Sequence, residues 1–271
     1  MAFKQTSLLI EPEELAPILS DKDQLIVAVC SDQVFDRGHI PGSVLVRPAE
    51  LVSGRMPGTG KLPSLENLNQ LFSKIGLTKS TRLIAYDDEG GGWAGRLLWT
   101  LDVLNHTNHS LLNGGLIAWH KEGYRLSQEI KSNPNSSYKG ELNKEFIVNM
   151  KDVLASINDD KSIVWDARAP DEYEGKRVTA EKNGHIPGAV NLDWVNLMDR
   201  ANNLKLKDLA KLQDMLEDLG ITKEKNIITH CLSHHRSGLT YILGKLLNLK
   251  ISAYDGSWSE WGNHPDTPVE N

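Results

Sequence analysis

The chain repeats itself, and no other feature restricts its fold as strongly. Gly38-His39-Ile40-Pro41-Gly42 recurs 146 residues later as Gly184-His185-Ile186-Pro187-Gly188. Ile75-Gly76-Leu77-Thr78 returns after 144 residues as Leu219-Gly220-Ile221-Thr222. Asn113-Gly114-Gly115, followed by Trp119, returns after 142 residues as Asp255-Gly256-Ser257, followed by Trp261. Landmarks kept in one order at nearly one offset mean a tandem duplication of a unit of ordinary domain size.

Within each half, short apolar strands alternate with helices. Residues 162–165 form a buried-strand run ending at Asp166, residues 226–230 form another, and residues 82–86 repeat the second in the first half. Leu209, Leu212, Met215, Leu216 and Leu219 follow helical spacing up to Gly220, as Leu65, Leu68, Phe72 and Ile75 do up to Gly76. Leu239, Ile242, Leu243, Leu246 and Leu247 mark a further helix after a polar loop. This alternation predicts an α/β fold of two domains, each a small parallel sheet with helices on both faces. The stretch 127–144, rich in Ser, Asn, Lys and Glu with Pro134, shows no periodicity; it is expected to link domains spanning 1–126 and 145–271.

With 39% hydrophobic and 24% charged residues, the chain can bury two ordinary cores. A net charge of -6 gives no general attraction to nucleic acid or anionic membrane, and no apolar run approaches a bilayer span. Any anion binding must therefore be local. Residues 1–6 lead straight to Glu11, Glu13 and Glu14 without a signal-peptide pattern, so the expected location is the cytoplasm. Cys30 and Cys231 are the only cysteines, and sparse thiols in such a chain are expected to be free.

Cys231 stands between a predicted strand and a predicted helix, in His230-Cys231-Leu232-Ser233-His234-His235-Arg236-Ser237-Gly238. Ligands of parallel α/β sheets sit beyond the carboxyl ends of the strands. A strand–loop–helix junction aims free backbone N–H groups and the positive end of a helix dipole into the loop, which favours a thiolate; Arg236 adds a permanent charge. Two other readings compete. One is a buried, inert cysteine, against which stand its polar and charged companions. The other is a metal site using His230, Cys231, His234 and His235, against which stands the poor convergence of adjacent side chains on one ion. Neither a metal nor a cofactor is expected.

The succession Asp166-Ala167-Arg168, Gly184-His185-Ile186-Pro187-Gly188, the Cys231 loop and Tyr254-Asp255-Gly256-Ser257-Trp258 resembles the rhodanese superfamily. The duplication resembles its two-domain thiosulfate and 3-mercaptopyruvate sulfurtransferases. The resemblance implies three-layer α/β domains and a ping-pong reaction in which the Cys231 thiolate takes sulfane sulfur from a donor and, as a persulfide, passes it to cyanide or a thiol. It also implies a six-residue loop for sulfur, the length of residues 231–236 here, where related phosphatases use seven residues ending in Arg. Because Arg236 ends this loop, a phosphatase or arsenate-handling reading stays open.

Aligned through the second strand, Asp87 occupies the position of Cys231, so the first domain is expected to be catalytically inactive, a scaffold that would repel an anion. Cys30 aligns with Arg168 and is expected to be a structural thiol.

By the same resemblance, Cys231, Arg236 and Asp255 form the catalytic set, with Asp255 orienting the loop through backbone N–H groups. Arg168, His230, Ser233, His234, His235 and Ser237 form the donor-binding set. One of His234 and His235 is expected to be a surface residue, and Arg168 has a salt bridge to Asp166 or Glu172 as its alternative role. Glu172 replaces a second family Arg, a loss for which Lys176 or Arg177 is expected to compensate. His39 and His185 are expected to be structural, and Trp258 and Trp261 to pack the C-terminal segment. The loop body matches neither subfamily's usual signature. Its cationic character favours thiosulfate, with 3-mercaptopyruvate as the alternative donor. A sulfur relay that accepts persulfide from a partner protein is the remaining reading.

Overall fold

The computed structural model describes residues 7–271; the leader reading of residues 1–6 lies outside them. Two five-stranded sheets form the frame, and every strand pair within them is parallel. The first contains β1 (Leu9–Ile10), β2 (Gln24–Val29), β3 (Val44–Val46), β4 (Arg82–Tyr86) and β5 (His109–Leu112), ordered β1-β5-β4-β2-β3. The second contains β6 (Ile147–Val148), β7 (Ser162–Asp166), β8 (Val190–Asn191), β11 (Asn226–His230) and β12 (Lys250–Tyr254). Its order, β6-β12-β11-β7-β8, repeats the first. Among the described residues, a small antiparallel ribbon of β9 (Met198–Asp199) and β10 (Lys205–Leu206) has no counterpart in the first half.

Helices cover both faces. The first half holds α1 (Pro12–Leu15), α2 (Asp32–Arg37), α3 (Leu65–Lys74), α4 (Gly92–Val103) and α5 (Gly115–Lys121). The second holds α6 (Met150–Ser156), α7 (Pro170–Tyr173), α8 (Leu209–Glu217), α9 (Arg236–Leu246) and α10 (Ser257–Trp261). Ser64 and Asp208 cap α3 and α8 by accepting from Asn67 N and Lys211 N, and Gly76 and Gly220 take left-handed φ of 81° and 77° just beyond those helices. Among the described residues, no helix is long and apolar enough to cross a membrane.

The repeated Gly-His-Ile-Pro-Gly is a turn with a clasp. Ser43 N donates to Ile40 O at 3.1 Å and Ala189 N to Ile186 O at 2.9 Å, with Gly42 and Gly188 at φ 80° and 72°. This places Pro and a left-handed glycine at the two central positions of a tight turn. The histidines do structural work. His39 stacks on Phe35 and bonds Phe35 O; His185 stacks on Tyr173 and bonds Tyr173 O. Their backbones pair with Ser127 and Glu270, clasping the end of each unit.

Residues 128–143 form no helix or strand, yet they lie against the first unit. Ser136 N donates to Ser73 O, Gly140 N to Asn69 Oδ1 and Asn143 N to Val103 O, while Tyr138 is buried against Phe72. The segment is a packed strap.

The two halves meet through α4 and α9, the equivalent helices after β4 and β11. A Cβ on Gly95 would stand 2.4 Å from Gly238 O, and one on Gly238 would stand 2.4 Å from Arg96 N and Gly92 O. Only glycines allow these backbones to touch. Tyr241 and Lys245 bind Asp102 across the seam at 2.8 and 3.3 Å. One apolar core therefore runs from Leu97 and Leu101 through Leu239 and Leu243 into both sheets, and smaller cores back the outer faces.

Candidate active site

Cys231 leaves the end of β11, the central strand, and is 1% exposed. The start of α10 holds the loop: Trp258 N donates to Cys231 O at 3.0 Å, Ser259 N to Leu232 O at 2.9 Å, and Cys231 N to Ser257 Oγ at 3.4 Å. The loop reverses at His234, whose φ of 53° is left-handed, and enters α9 at Arg236. Burial raises the thiol of Cys231, but the Arg236 charge, the Ser237 hydroxyl and N–H donors and His235 outweigh it, so its pKa falls below the ordinary value. Cys30 is the opposite case. Burial, with Asp88, Asp87 and Asp32 nearby, pushes its thiol up to about 12.

The three loop histidines diverge. His230 is fully buried with Nδ1 on Cys231 O at 3.0 Å and Nε2 3.6 Å from Asp166, which ties it to the strand end. His234 is also fully buried, with Nδ1 2.7 Å from Ser237 Oγ and its ring edge-on to Trp99. Of the pair, His234 is the one that turns inward. His235 stacks on Trp93 and pairs with Glu89 of the first domain, with 22% of its side chain exposed. It reaches the outer side of the loop, as does half-buried Ser233.

Of the two roles read for Arg168 the structure shows the salt bridge, and Arg236 is more engaged than expected. Arg168 is wholly buried, gripping Asp166 through Nε and Nη2, bonding Gly184 O, and lying 4.2 Å from the Trp258 ring centre. It braces the β7 end through the salt bridge to Asp166 that was its alternative role. Arg236 stays beside Cys231, but Glu172 occupies its fork at 2.5 and 3.0 Å. The expected compensation by Lys176 or Arg177 does not arise, because Arg177 pairs with Asp171 and Glu172, and Lys176 with Glu174.

Asp255 acts at a different loop from the one expected. It accepts from Leu62 N at 2.9 Å and so holds the first-domain segment that presses Gly60 against the Ser233 backbone. Asp87 departs too. Its Oδ1 accepts from the N–H groups of Glu89, Gly90 and Gly91, and its Oδ2 from that of Ala94. The carboxylate does not merely repel an anion; it fills the amide ring itself.

Arg96 was not anticipated. It reaches from α4 to the underside of the loop, is wholly buried, bonds Leu51 O at 2.8 Å and lies 4.6 Å from the Trp99 ring centre. The sequence does carry a signal, since Arg96 and Asp102 are the only charged residues in the apolar run 92–103. The pairing of Glu172 with Arg236 had none, for the two lie 64 residues apart.

Comparison with known proteins agrees with this frame. Over 269 residues the chain is 43% identical to the thiosulfate sulfurtransferase of Pseudomonas aeruginosa, covering 99% of this chain and 98% of that one. The thiosulfate sulfurtransferase of Azotobacter vinelandii is 42% identical over 269 residues, again covering 99% and 98%. Among solved structures, the anaerobic ergothioneine biosynthesis enzyme from Chlorobium limicola has the same fold, with a TM-score of 0.90 at 20% identity over 99% of this chain and 71% of that one. A family model described as the rhodanese-like domain matches residues 11–122 and again 149–264, the two halves that repeat each other in motif and strand order. The chain thus belongs to the rhodanese-like domain family, with the domain present twice.

Proposed function

We propose that the chain is a thiosulfate sulfurtransferase in which Cys231 carries the sulfur as a persulfide. The observation that carries this reading is the lowered thiol of Cys231, placed at the central strand end with Ser237 donors and Arg236 around it. The thiosulfate relatives at 43% and 42% identity support the choice of donor. The thiolate attacks the sulfane sulfur of thiosulfate, forming a Cys231–S bond while the sulfur–sulfur bond of the donor breaks and sulfite leaves with its electron pair. The persulfide is an anion, as the thiolate was, so the same donors stabilise it. Cyanide or a thiolate then attacks the terminal sulfur, forming thiocyanate or a new persulfide and returning the electron pair to Cys231 Sγ.

Arg236 acts in this scheme mainly as a fixed charge beside the sulfur, since Glu172 holds its fork. Small sulfur donors and acceptors, or a sulfur-accepting protein, are the partners this scheme requires. Both cysteines are free, as a reducing compartment keeps them, and a cytoplasmic location belongs to the proposal. The test is intact mass after thiosulfate treatment. One sulfur added to Cys231, absent in C231S and retained in C30S, is the expected result; sulfur on Cys30 would refute the assignment.

A further inference from the structure

We propose that His234 is a positioning residue that directs the Ser237 hydroxyl proton onto Cys231. The proposal rests on Cys231 being the reacting thiolate. A serine hydroxyl has a single hydrogen. Ser237 Oγ meets His234 Nδ1 at 2.7 Å, and its hydroxyl is also among the groups that lower the Cys231 thiol. A thiolate has no hydrogen to offer. Both contacts are satisfied together only if His234 Nδ1–H donates to Ser237 Oγ, leaving the serine hydrogen for sulfur.

Nε2 of His234 must then be unprotonated, and its surroundings fit. The ring is fully buried and Nε2 has no hydrogen-bond partner. Trp99 packs against the ring, and Arg96 lies over that indole with its Nε and Nη1 hydrogens unpartnered. The groups that face His234 are Arg96 from α4, His230 from the end of β11 and His235 from its own loop. None favours a second proton. Burial, followed by the Arg96 charge, holds His234 well below the usual histidine value. The nearby carboxylates are engaged elsewhere, Asp166 with Arg168, Glu172 with Arg236 and Arg177, and Asp255 with Leu62 N. The left-handed backbone at His234, uncommon outside glycine, is what turns the ring inward. The domain whose loop lacks a thiol thereby contributes a charge beside the loop that has one.

The full chain and its H234N, H234Q, S237A and H234Q/S237A variants are compared. The readouts are the pH dependence of Cys231 alkylation by iodoacetamide, followed by intact mass, and kcat/KM for thiosulfate with cyanide. Asparagine places an amide N–H near the Nδ1 position, whereas glutamine places it near Nε2. H234Q is expected to raise the alkylation midpoint and slow the neutral-pH rate by about tenfold, the worth of one hydrogen bond to a charged group. H234N should restore most of that rate. In the S237A background H234Q should have no further effect, because His234 acts only through Ser237. Equal midpoints for H234N and H234Q, or a further slowing of S237A by H234Q, would overturn the proposal. Alkylation mapping to Cys30 would instead sink the reading on which it rests.

Discussion

Substitution of Gly238 by alanine tests how tightly the two domains hold the reactive loop. The added Cβ would stand 2.4 Å from Arg96 N and from Gly92 O, both backbone atoms that no side-chain rotation can move. Carbon contacts become comfortable only near 3.5 Å, so α9 must retreat from α4 by roughly 1 Å. Overpacking of this kind costs about 1–3 kcal/mol. For a chain of this size that lowers Tm by about 3–10 °C. Ser237 directly precedes Gly238, so the retreat also carries its hydroxyl and N–H away from Cys231. A misplacement of roughly 1 Å at a reacting group can cost on the order of 100-fold in rate. Differential scanning calorimetry and the thiosulfate–cyanide assay read the two effects separately. G95A, whose Cβ would lie 2.4 Å from Gly238 O, attacks the same contact from the other side, and the double variant should lose less than the sum of the singles. If G238A melts within about 1 °C of the wild type and turns over normally, the seam is not the rigid backbone contact inferred here.

Other outcomes follow from the same geometry. E172Q frees the Arg236 fork from a neutralising carboxylate, so KM for thiosulfate should fall by about three- to tenfold at fixed ionic strength, with a smaller change in kcat. D255A removes the acceptor for Leu62 N and the carboxylate facing Arg96; unfolding should be easier by about 1–3 kcal/mol, with faster hydrogen exchange in residues 53–62. Iodoacetamide at neutral pH should label Cys231 and spare Cys30, whose thiol is pushed up to about 12. The lowered Cys231 value also adds stability that is present above the unfolded thiol pKa and lost as pH falls through the folded one; C231S should flatten that part of the profile in denaturation titrations.

The fold was readable wherever a local pattern decides the outcome. The runs at 82–86, 162–166 and 226–230 became β4, β7 and β11, and the periodic leucines before Gly76 and Gly220 became α3 and α8. The two-residue strands β1 and β6 and the β9–β10 ribbon were not readable, because so few residues carry no period of their own. The strap 128–143 read as a free linker because its bonds go to Ser73, Asn69 and Val103, which are distant in sequence. Cys231 was legible from its place between a strand and a helix. The Arg168–Asp166 bridge was among the roles read, but the inward turn of His230 and His234 was not, since sequence gives a residue type and a spacing but not which side of a loop a ring occupies.

The four N–H bonds received by Asp87 carry one more consequence. The first domain supplies its own carboxylate, covalently attached, as the acceptor of its loop N–H groups. The second domain holds a visitor that arrives and departs with each turnover. The duplicated chain therefore contains a permanently occupied copy of its own binding ring, a fixed anvil against which the working copy is emptied and refilled.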